Sequence, residues 1–297
     1  MKESAVMNPY STKYNEEEDL LLISQAFKGA SDALNTLVQR HQQFIYNVAL
    51  KFVRDDDDAA DLTQEVLIKM VTKLNQFEGK SSFRTWLYKM VANHFLNSQK
   101  KKREAAIVSF DEYGEYLDTV HNEEEMTREE MELKEKEITW TRNKCMSGAL
   151  LCLDRQQRMV FILGAVFNLK SPVAAEILDM TPENFRKQLS RAKADLFSFM
   201  QNKCGLMNPN NPCRCHKKTK GFISEGIVHP ETIQFYSEVT ESIEAIAEHK
   251  THEMDHLIEG RYLYLFTNQP YERRRDNEAK SRDILNDPMV KQLFELV

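Results

Sequence analysis

The 297-residue sequence is poor in glycine, proline and cysteine. Nine glycines and eight prolines are too few for a β-sandwich or a long disordered tail. Five cysteines are an odd number, and Cys145 and Cys152 lie in helical patterns, so disulfides are not expected to organise the fold. No run approaches the roughly eighteen apolar residues of a membrane span, and residues 1–19 lack an apolar signal core. We therefore expect a cytoplasmic protein without a membrane segment.

The abundant residue types favour α-helix. Leu, Glu, Lys, Gln and Met are all good helix formers. A hydrophobic content of 41% is enough to form cores, and the length suggests about two domains. The net charge of −6 does not by itself indicate nucleic-acid binding, but the charge is unevenly distributed along the chain. The prediction is an all-α protein with two small helical domains.

Residues 55–76 contain the first of two neighbouring amphipathic patterns. An acidic run at residues 55–58 suits the positive end of a helix dipole. An apolar stripe follows, from Ala59 to Leu74, at three- and four-residue steps. The opposite face presents Asp61, Gln64 and Glu65. That face is either a protein-binding surface or simply exposed to solvent.

Residues 77–103 contain the second pattern, after a loop broken by Gly79. Ser81 or Ser82 is the expected helix cap, and Trp86 belongs to the apolar stripe. The other faces and the end of the helix bear aromatic, amide and basic side chains: Arg84, Tyr88, Lys89, Asn93, Asn97, Lys100, Lys101, Lys102 and Arg103. Cations also complement a helix C-terminus. Four in a row exceed that need, and cations with aromatics are typical of single-strand binding.

Residues 104–144 are acidic and poor in apolar side chains. We predict a linker whose second half is helical. It is either a solvating spacer or an acidic segment that occupies a basic channel.

A second helical domain begins near Cys145 and ends in a helix-turn-helix pattern. Ser171 and Thr181 are the expected caps of its two helices, each followed by proline at the first helical position. The second helix bears four cations, Arg186, Lys187, Arg191 and Lys193. An unrelated helical hairpin is the alternative, but the caps and the basic second helix favour duplex DNA as the ligand.

The last third of the chain has two groups of metal-ligating residue types. Cys204, Cys213, Cys215 and His216 lie in one Pro/Asn-rich loop, where they form either a site for zinc or a similar ion or a loop of reduced thiols. Their spacing is not that of a standard zinc finger. His249, His252 and His256 share one helix face, either a solvated face or a metal-dependent enzyme site. No nucleophile–base set or phosphate-binding loop occurs, so an enzyme is not expected.

Five segments together resemble a known family. DLTQEVLIKMV and FRTWLYKMVANHFLNSQKKKRE are followed, beyond the acidic segment, by LDRQQRMVFIL, AAEILDM and FRKQLSRAKADLF. In this order they resemble regions 2 and 4 of the extracytoplasmic-function (group IV) RNA polymerase sigma factors of the sigma-70 family. The resemblance implies region 2 as a helical bundle (16–103) and region 4 with the helix-turn-helix (145–203), joined by the acidic linker (104–144). From the residues themselves we expect a disordered N-terminus (1–15) and a mostly helical, Cys-containing C-terminal extension (204–297), which is not part of the minimal family.

The resemblance also assigns roles to residues. Asp61, Gln64 and Glu65 would face the β′ clamp helices of RNA polymerase. The −35 major groove would receive Glu183, Asn184, Arg186 and Lys187, with Arg191 and Lys193 on phosphates. The residues expected at the −10 element are Phe77, Lys80, Ser82, Trp86, Asn93, Asn97, Lys100, Lys101, Lys102 and Arg103.

The implied partners are core RNA polymerase, including its β′ clamp helices and β flap, and promoter DNA. No cofactor is required, although the Cys-containing extension is a candidate for a zinc-like ion and for the role of a separate anti-sigma factor. The chain departs from the family pattern at Pro172 and Val173, where acidic residues are common, and at Asp179, where glycine is usual in the turn. The alternative function is a helix-turn-helix regulator that binds DNA without polymerase.

Overall fold

The computed structural model describes residues 14–99, 105–106, 109–120, 126–228 and 230. Within these residues the structure has eleven α-helices and no strand, which confirms the all-α prediction. None of these helices is long and apolar enough to cross a membrane. The helices are α1 (Glu16–Ala26), α2 (Ser31–Val53), α3 (Asp56–Thr72), α4 (Phe83–Asn97), α5 (Phe110–Thr119), α6 (Arg128–Leu133), α7 (Glu135–Leu151), α8 (Arg155–Phe161), α9 (Ser171–Ile177), α10 (Pro182–Lys203) and α11 (Cys215–Ser224).

Helices α1 to α4 form the first bundle, with α2 packed against the other three. The apolar face of α2 is fully buried, as Leu37, Val38 and Phe52 show. Phe83 and Phe95 of α4 close the same core. Burying a side chain of this size stabilises a fold by about 1.5–3 kcal/mol, so the periodic stripes largely determine how these helices pack.

A buried polar cluster ties three helices of this bundle together. His41 of α2 lies 2.8 Å from the Asp19 carboxylate and 2.9 Å from the Tyr88 hydroxyl. Arg40 adds an ion pair to Asp19 at 3.1 Å. Burial acts to raise the pKa of Asp19, but the hydrogen bond and charge of His41 hold that pKa below its usual value. The sequence places Tyr88 on a non-core face of its helix, whereas in the structure it is buried.

The second half of the described chain is built around α7, α8 and α10. Helix α10 packs on α8 and α9, and α11 packs on α7. A short π-helical segment, Ile162–Val166, continues α8. At the centre of this segment, Gly164 packs closely against α10. A Cβ at this position would overlap the side chains of Phe185 and Leu189. The first part of the extension belongs to this core, since Phe222 and Val228 are buried.

The predicted linker contains packed structure in its first half as well as its second. Helix α5 packs on α7 and α10. Tyr113 is buried and donates a hydrogen bond to the Cys145 carbonyl at 2.9 Å, and Leu117 is buried beside it. Helix α7 runs through residue 145, where the sequence suggests a domain boundary. The acidic composition hid a short apolar face on α5, which forms one side of the second core.

The two halves touch through a set of buried and half-buried contacts. The Arg158 side chain, 2% exposed, donates to the carbonyl of Phe52 at 2.8 Å and to the carbonyls that end α7. Phe44 and Phe167 are 4.8 Å apart between ring centroids. Helix α9 packs on α4, where Lys89 and Asp179 form an exposed ion pair at 2.9 Å. The described helices therefore form a closed arrangement.

Candidate nucleic-acid and protein interfaces

The polar face of α3 stands opposite its buried stripe. Asp55 caps this helix by accepting hydrogen bonds from the amides of Asp57 and Asp58, each at 3.1 Å. On the outer face Asp61 and Glu65 are exposed. Gln64, the third residue of this set, is half-buried. Two carboxylates and an amide on one rigid helix face suit a basic protein partner.

A cavity of about 1010 Å³ lies between α3, α4 and α9. It brings together residues that the sequence assigned to different partners, because Glu65 lines it together with Trp86, Asn93 and Asn97. Glu176 of α9 lies on the far side. The sequence analysis missed a further set of lining residues, among them Lys69, Lys73, Met90 and His94.

The aromatic side chains at the start of α4 form one cluster. The Phe83 ring is 5.3 Å from Phe77 and 5.7 Å from Trp86, measured between centroids. Phe83 is buried, whereas Phe77 and Trp86 are half-buried. Only the edge of this cluster is therefore open to solvent, and Trp86 is the member that lines the cavity.

Two other predicted −10 residues, Ser82 and Lys80, lie near this cluster. The Ser82 hydroxyl caps α4, since it accepts from the Thr85 amide at 3.2 Å and donates to the Thr85 hydroxyl at 2.8 Å. Lys80 is 84% exposed and pairs with Glu78. The helix start is also fixed by Glu16, which accepts from the Phe83 amide at 2.6 Å. The loop is thus held in place by α1 while its lysine points to solvent.

His94 links the acidic face of α3 to the cavity. Its Nδ1 accepts from Lys69 Nζ at 2.6 Å, and its Nε2 lies 3.0 Å from the Glu65 carboxylate without the alignment of a hydrogen bond. Burial and the Lys69 charge lower the pKa of His94, against the opposing effect of Glu65. At neutral pH the ring is uncharged. In the sequence, the only feature that drew attention to His94 was its position on the apolar stripe of its helix.

The helix-turn-helix prediction is confirmed by α9 and α10. Thr181 caps α10 by accepting from the Asn184 amide at 3.2 Å, with Pro182 at the first position. The predicted cap of α9 is wrong: that helix begins at Ser171, its N-cap residue is Lys170, and no side chain caps it. Asp179 adopts a left-handed φ of 56° in the turn, a conformation that Asp tolerates better than most residues.

The polar residues of α10 lie opposite its core contacts. Phe185, Ala192 and Leu196 are buried against α8 and α9. Glu183 and Arg186 form an exposed ion pair at 3.1 Å. The predicted −35 residues are exposed except for the half-buried Lys193: Glu183, Asn184, Arg186, Lys187 and Arg191. This is the distribution that a groove-reading helix needs.

Three of the four predicted metal ligands line a second, small cavity. Cys204, Cys213 and Cys215 share it with Cys145, and His216 is not among the lining residues. Within the described residues, no group of three or more His, Cys, Asp or Glu side chains is arranged as a metal site. The other predicted residues, Lys100, Lys101, Lys102, Arg103, His249, His252 and His256, lie outside the described residues.

Comparison with known proteins identifies two family segments in order. The family description "Sigma-70 region 2" matches residues 37–105. The description "Sigma-70, region 4" matches residues 144–196. The first segment contains α3 and α4, and the second contains α8 to most of α10.

Similar proteins are found in several bacteria. The RNA polymerase sigma-H factor of Pseudomonas aeruginosa is 36% identical over 78 residues, which are 26% of this chain and 40% of that protein. The ECF RNA polymerase sigma-E factor of Escherichia coli K12 is 26% identical over 192 residues, which are 62% of this chain and 94% of that protein. The solved structure of CnrH in complex with the cytosolic domain of CnrY covers 62% of this chain and 97% of its own, with 22% identity and a TM-score of 0.44.

Proposed function

Because the chain belongs to the sigma-70 family of RNA polymerase sigma factors, in its extracytoplasmic-function class, we propose that it is an alternative sigma factor that binds core polymerase and directs transcription initiation. The observation on which this proposal rests is the pair of family segments in order, each with its polar face exposed. A family of this kind acts by binding and not by catalysis. The partners are core polymerase and promoter DNA.

The acidic face of α3 is the proposed polymerase contact. Asp61, Gln64 and Glu65 would bind the β′ clamp helices, and a further contact of the protein with the β flap would place region 4. Exposed carboxylates on a helix that is rigidly packed in a core steer a basic partner and fix its orientation. The same helix borders the large cavity through Glu65, so polymerase binding and −10 recognition would occur on adjacent surfaces.

The large cavity is the proposed site of −10 recognition. To be read, a base must leave the stack, which costs a few kcal/mol, so the protein has to supply a compensating pocket and an aromatic surface. Trp86 offers the aromatic edge, Asn93 and Asn97 offer amides, and Lys69 and Lys73 offer positive charge in the same cavity. Phe77, Lys80 and Ser82 would shape its rim, and Lys100, Lys101, Lys102 and Arg103 would hold backbone phosphates.

Helix α10 is the proposed reader of the −35 element. Glu183, Asn184, Arg186 and Lys187 lie in its first turns, where a recognition helix meets base edges. Arg191 and Lys193 lie further along and would contact phosphates. A separate anti-sigma factor, or the extension itself, would control access to these surfaces.

The decisive experiment is reconstitution with core polymerase and run-off transcription on fragmented genomic DNA. We expect promoter-specific transcripts only when this chain is added. Replacing Asp61, Gln64 and Glu65 together by alanine should abolish co-elution with core polymerase while leaving helicity unchanged. The alternative is a helix-turn-helix regulator that binds duplex DNA without polymerase. Failure of the wild-type chain to co-elute with core polymerase, together with unaided duplex binding, would establish that alternative. Full polymerase binding by the triple variant would remove the three residues from the polymerase interface.

A further inference from the structure

A small cavity of about 30 Å³ joins the extension to the second core. Cys145 reaches it from α7, Cys204 from the end of α10, Cys213 from the loop that follows, and Cys215 from the first residue of α11. The remaining cysteine, Cys152, does not line it. Four of the five cysteines therefore converge, three from one short segment and Cys145 from a helix far earlier in the chain.

The loop between α10 and α11 holds two of these cysteines side by side. Cys204 and Cys213 are partners in a parallel β-bridge. Asn211 donates to the Cys204 carbonyl at 3.2 Å, and Arg214 donates to the Cys213 carbonyl at 2.9 Å. Gly205 has no room for a side chain, because a Cβ there would overlap both Arg214 and the backbone of Cys213. The loop is thus built around the placement of its cysteines.

The cysteines around the cavity are close enough to act on one another. Cys204, Cys213 and Cys215 act on Cys145, and Cys204 and Cys213 act on Cys215. Burial, followed by these like charges, raises the pKa of Cys145 well above its usual value and that of Cys215 to about 12.

Charged side chains also line the cavity. Lys203 and Asp118 line it as an ion pair at 2.6 Å, and Lys218 lines it as a further cation. Four thiolates around a divalent cation would have a net charge of −2. Lys218 beside the cluster would offset part of that charge in a low-dielectric setting.

We propose that Cys145, Cys204, Cys213 and Cys215 bind one thiophilic divalent cation, Zn²⁺, in a tetrahedral four-cysteine site that fastens the extension to α7. Four thiolates are a common ligand set of closed, structural zinc sites. Cys145 takes the place that the sequence analysis gave to His216, which is adjacent to a ligand in sequence but does not line the cavity. The site does not depend on the proposed promoter function.

Binding of the ion would draw the thiols together. As they stand they are not gathered as metal ligands. Metal ligands lose their protons on binding, and sites are rarely preformed without metal. With Zn–S bonds of about 2.3 Å, occupation would close the cavity and tighten the packing of α11 on α7.

The first test is metal analysis of the full chain purified with reductant, loaded with zinc and freed of unbound ion. We expect a single zinc per chain, released in parallel with modification of four thiols. Cys145→Ser removes a ligand, so it should lose more zinc affinity than the roughly tenfold minimum that an outer-shell change costs. His216→Ala and Cys152→Ser are the matched controls and should retain the wild-type zinc content.

A second measurement uses the wild-type chain and so does not depend on whether the Cys145 variant folds. Alkylation followed by mass spectrometry should show all four cysteines protected with zinc and exposed together after chelation, with Cys152 unaffected. Failure of the loaded wild-type chain to hold zinc would overturn the proposal. Loss of zinc in His216→Ala but not in Cys145→Ser would also overturn it, as would recovery of the four thiols as disulfides from reduced, zinc-loaded protein. Since neither assay includes polymerase or DNA, these results are independent of the sigma-factor proposal.

Discussion

His94 shows how one residue joins two surfaces of the molecule. It lies between Lys69 and Glu65 and lines the large cavity. Its folded-state pKa is lowered, so the folded protein favours the neutral ring. The associated stability is present above the unfolded-state pKa of about 6.5 and is lost as the pH falls from there through the lowered value.

We therefore predict that acidification below about pH 6.5 destabilises the wild-type protein by up to about 1.4 kcal/mol per pH unit through this residue. His94→Gln should remove that part of the slope. Urea unfolding followed by circular dichroism at several pH values measures it. An identical slope in both proteins would show that His94 does not titrate with folding.

Arg158 is a second residue whose substitution should change the stability of the whole fold. Arg158 is only 2% exposed. Its guanidinium donates hydrogen bonds to the carbonyls of Phe52, Leu150, Leu151 and Leu153. Arg158→Met would leave several of these carbonyls unsatisfied, and each costs about 1–3 kcal/mol. We expect a loss of at least about 3 kcal/mol in the free energy of unfolding, measured by urea titration. Arg186→Met, on an exposed face, is the control and should change it by less than about 0.5 kcal/mol.

At the scale of the element, α10 has its core contacts on one face and its exposed polar residues on the other. Phe185 and Leu196 hold it in the core, while Lys187 and Arg191 are exposed on the other side. The separation follows from a helical period of 3.6 residues, which places core and polar residues on opposite faces. Binding and stability should consequently respond to different substitutions.

Lys187→Gln and Arg191→Gln should each weaken binding to −35 duplex DNA when the chain is bound to core polymerase. A residue that contacts phosphate should also reduce the slope of log affinity against log salt by roughly 1. Fluorescence anisotropy over a salt series measures both effects. Lys136→Gln, an exposed lysine of α7, is the matched control. A response equal to that of the control would remove α10 from the DNA interface.

At the scale of the whole molecule, the closed arrangement has a consequence for promoter binding. The −10 and −35 elements are about 25 base pairs apart by their names, or roughly 85 Å at 3.4 Å per base pair. Helix α9 rests on α4, whereas the whole of α10 is only about 33 Å long at 1.5 Å per residue. The two halves therefore have to separate before both elements are bound.

We predict this opening as a fall in energy transfer between fluorophores at Lys28 and Ala194, introduced as unnatural amino acids, when core polymerase and promoter DNA are added. Both positions are exposed, one in each half. A pair at Lys28 and Asn75, an exposed residue of the first half that does not line the large cavity, should not change. Unchanged transfer in both pairs on a transcribing complex would contradict the opening.

The sequence by itself determined the features that depend on neighbours along the chain. Apolar stripes predicted the existence and inner faces of α3 and α4, because helical period and burial act locally. Thr181 was recognisable as a cap and Ser82 as one of two candidates, since a cap bonds to an amide three residues away. The order of the two motif sets identified the family, and with it the proposed function.

Only the tertiary structure decided which distant residues meet. It buried Tyr88 against His41, folded α5 of the acidic segment into a core, and left Ser171 without a capping role. It also brought Cys145 to the three cysteines of the extension. The physical reason is that such contacts depend on how whole helices pack. Packing is set by the summed burial of many side chains, which no short stretch of sequence displays.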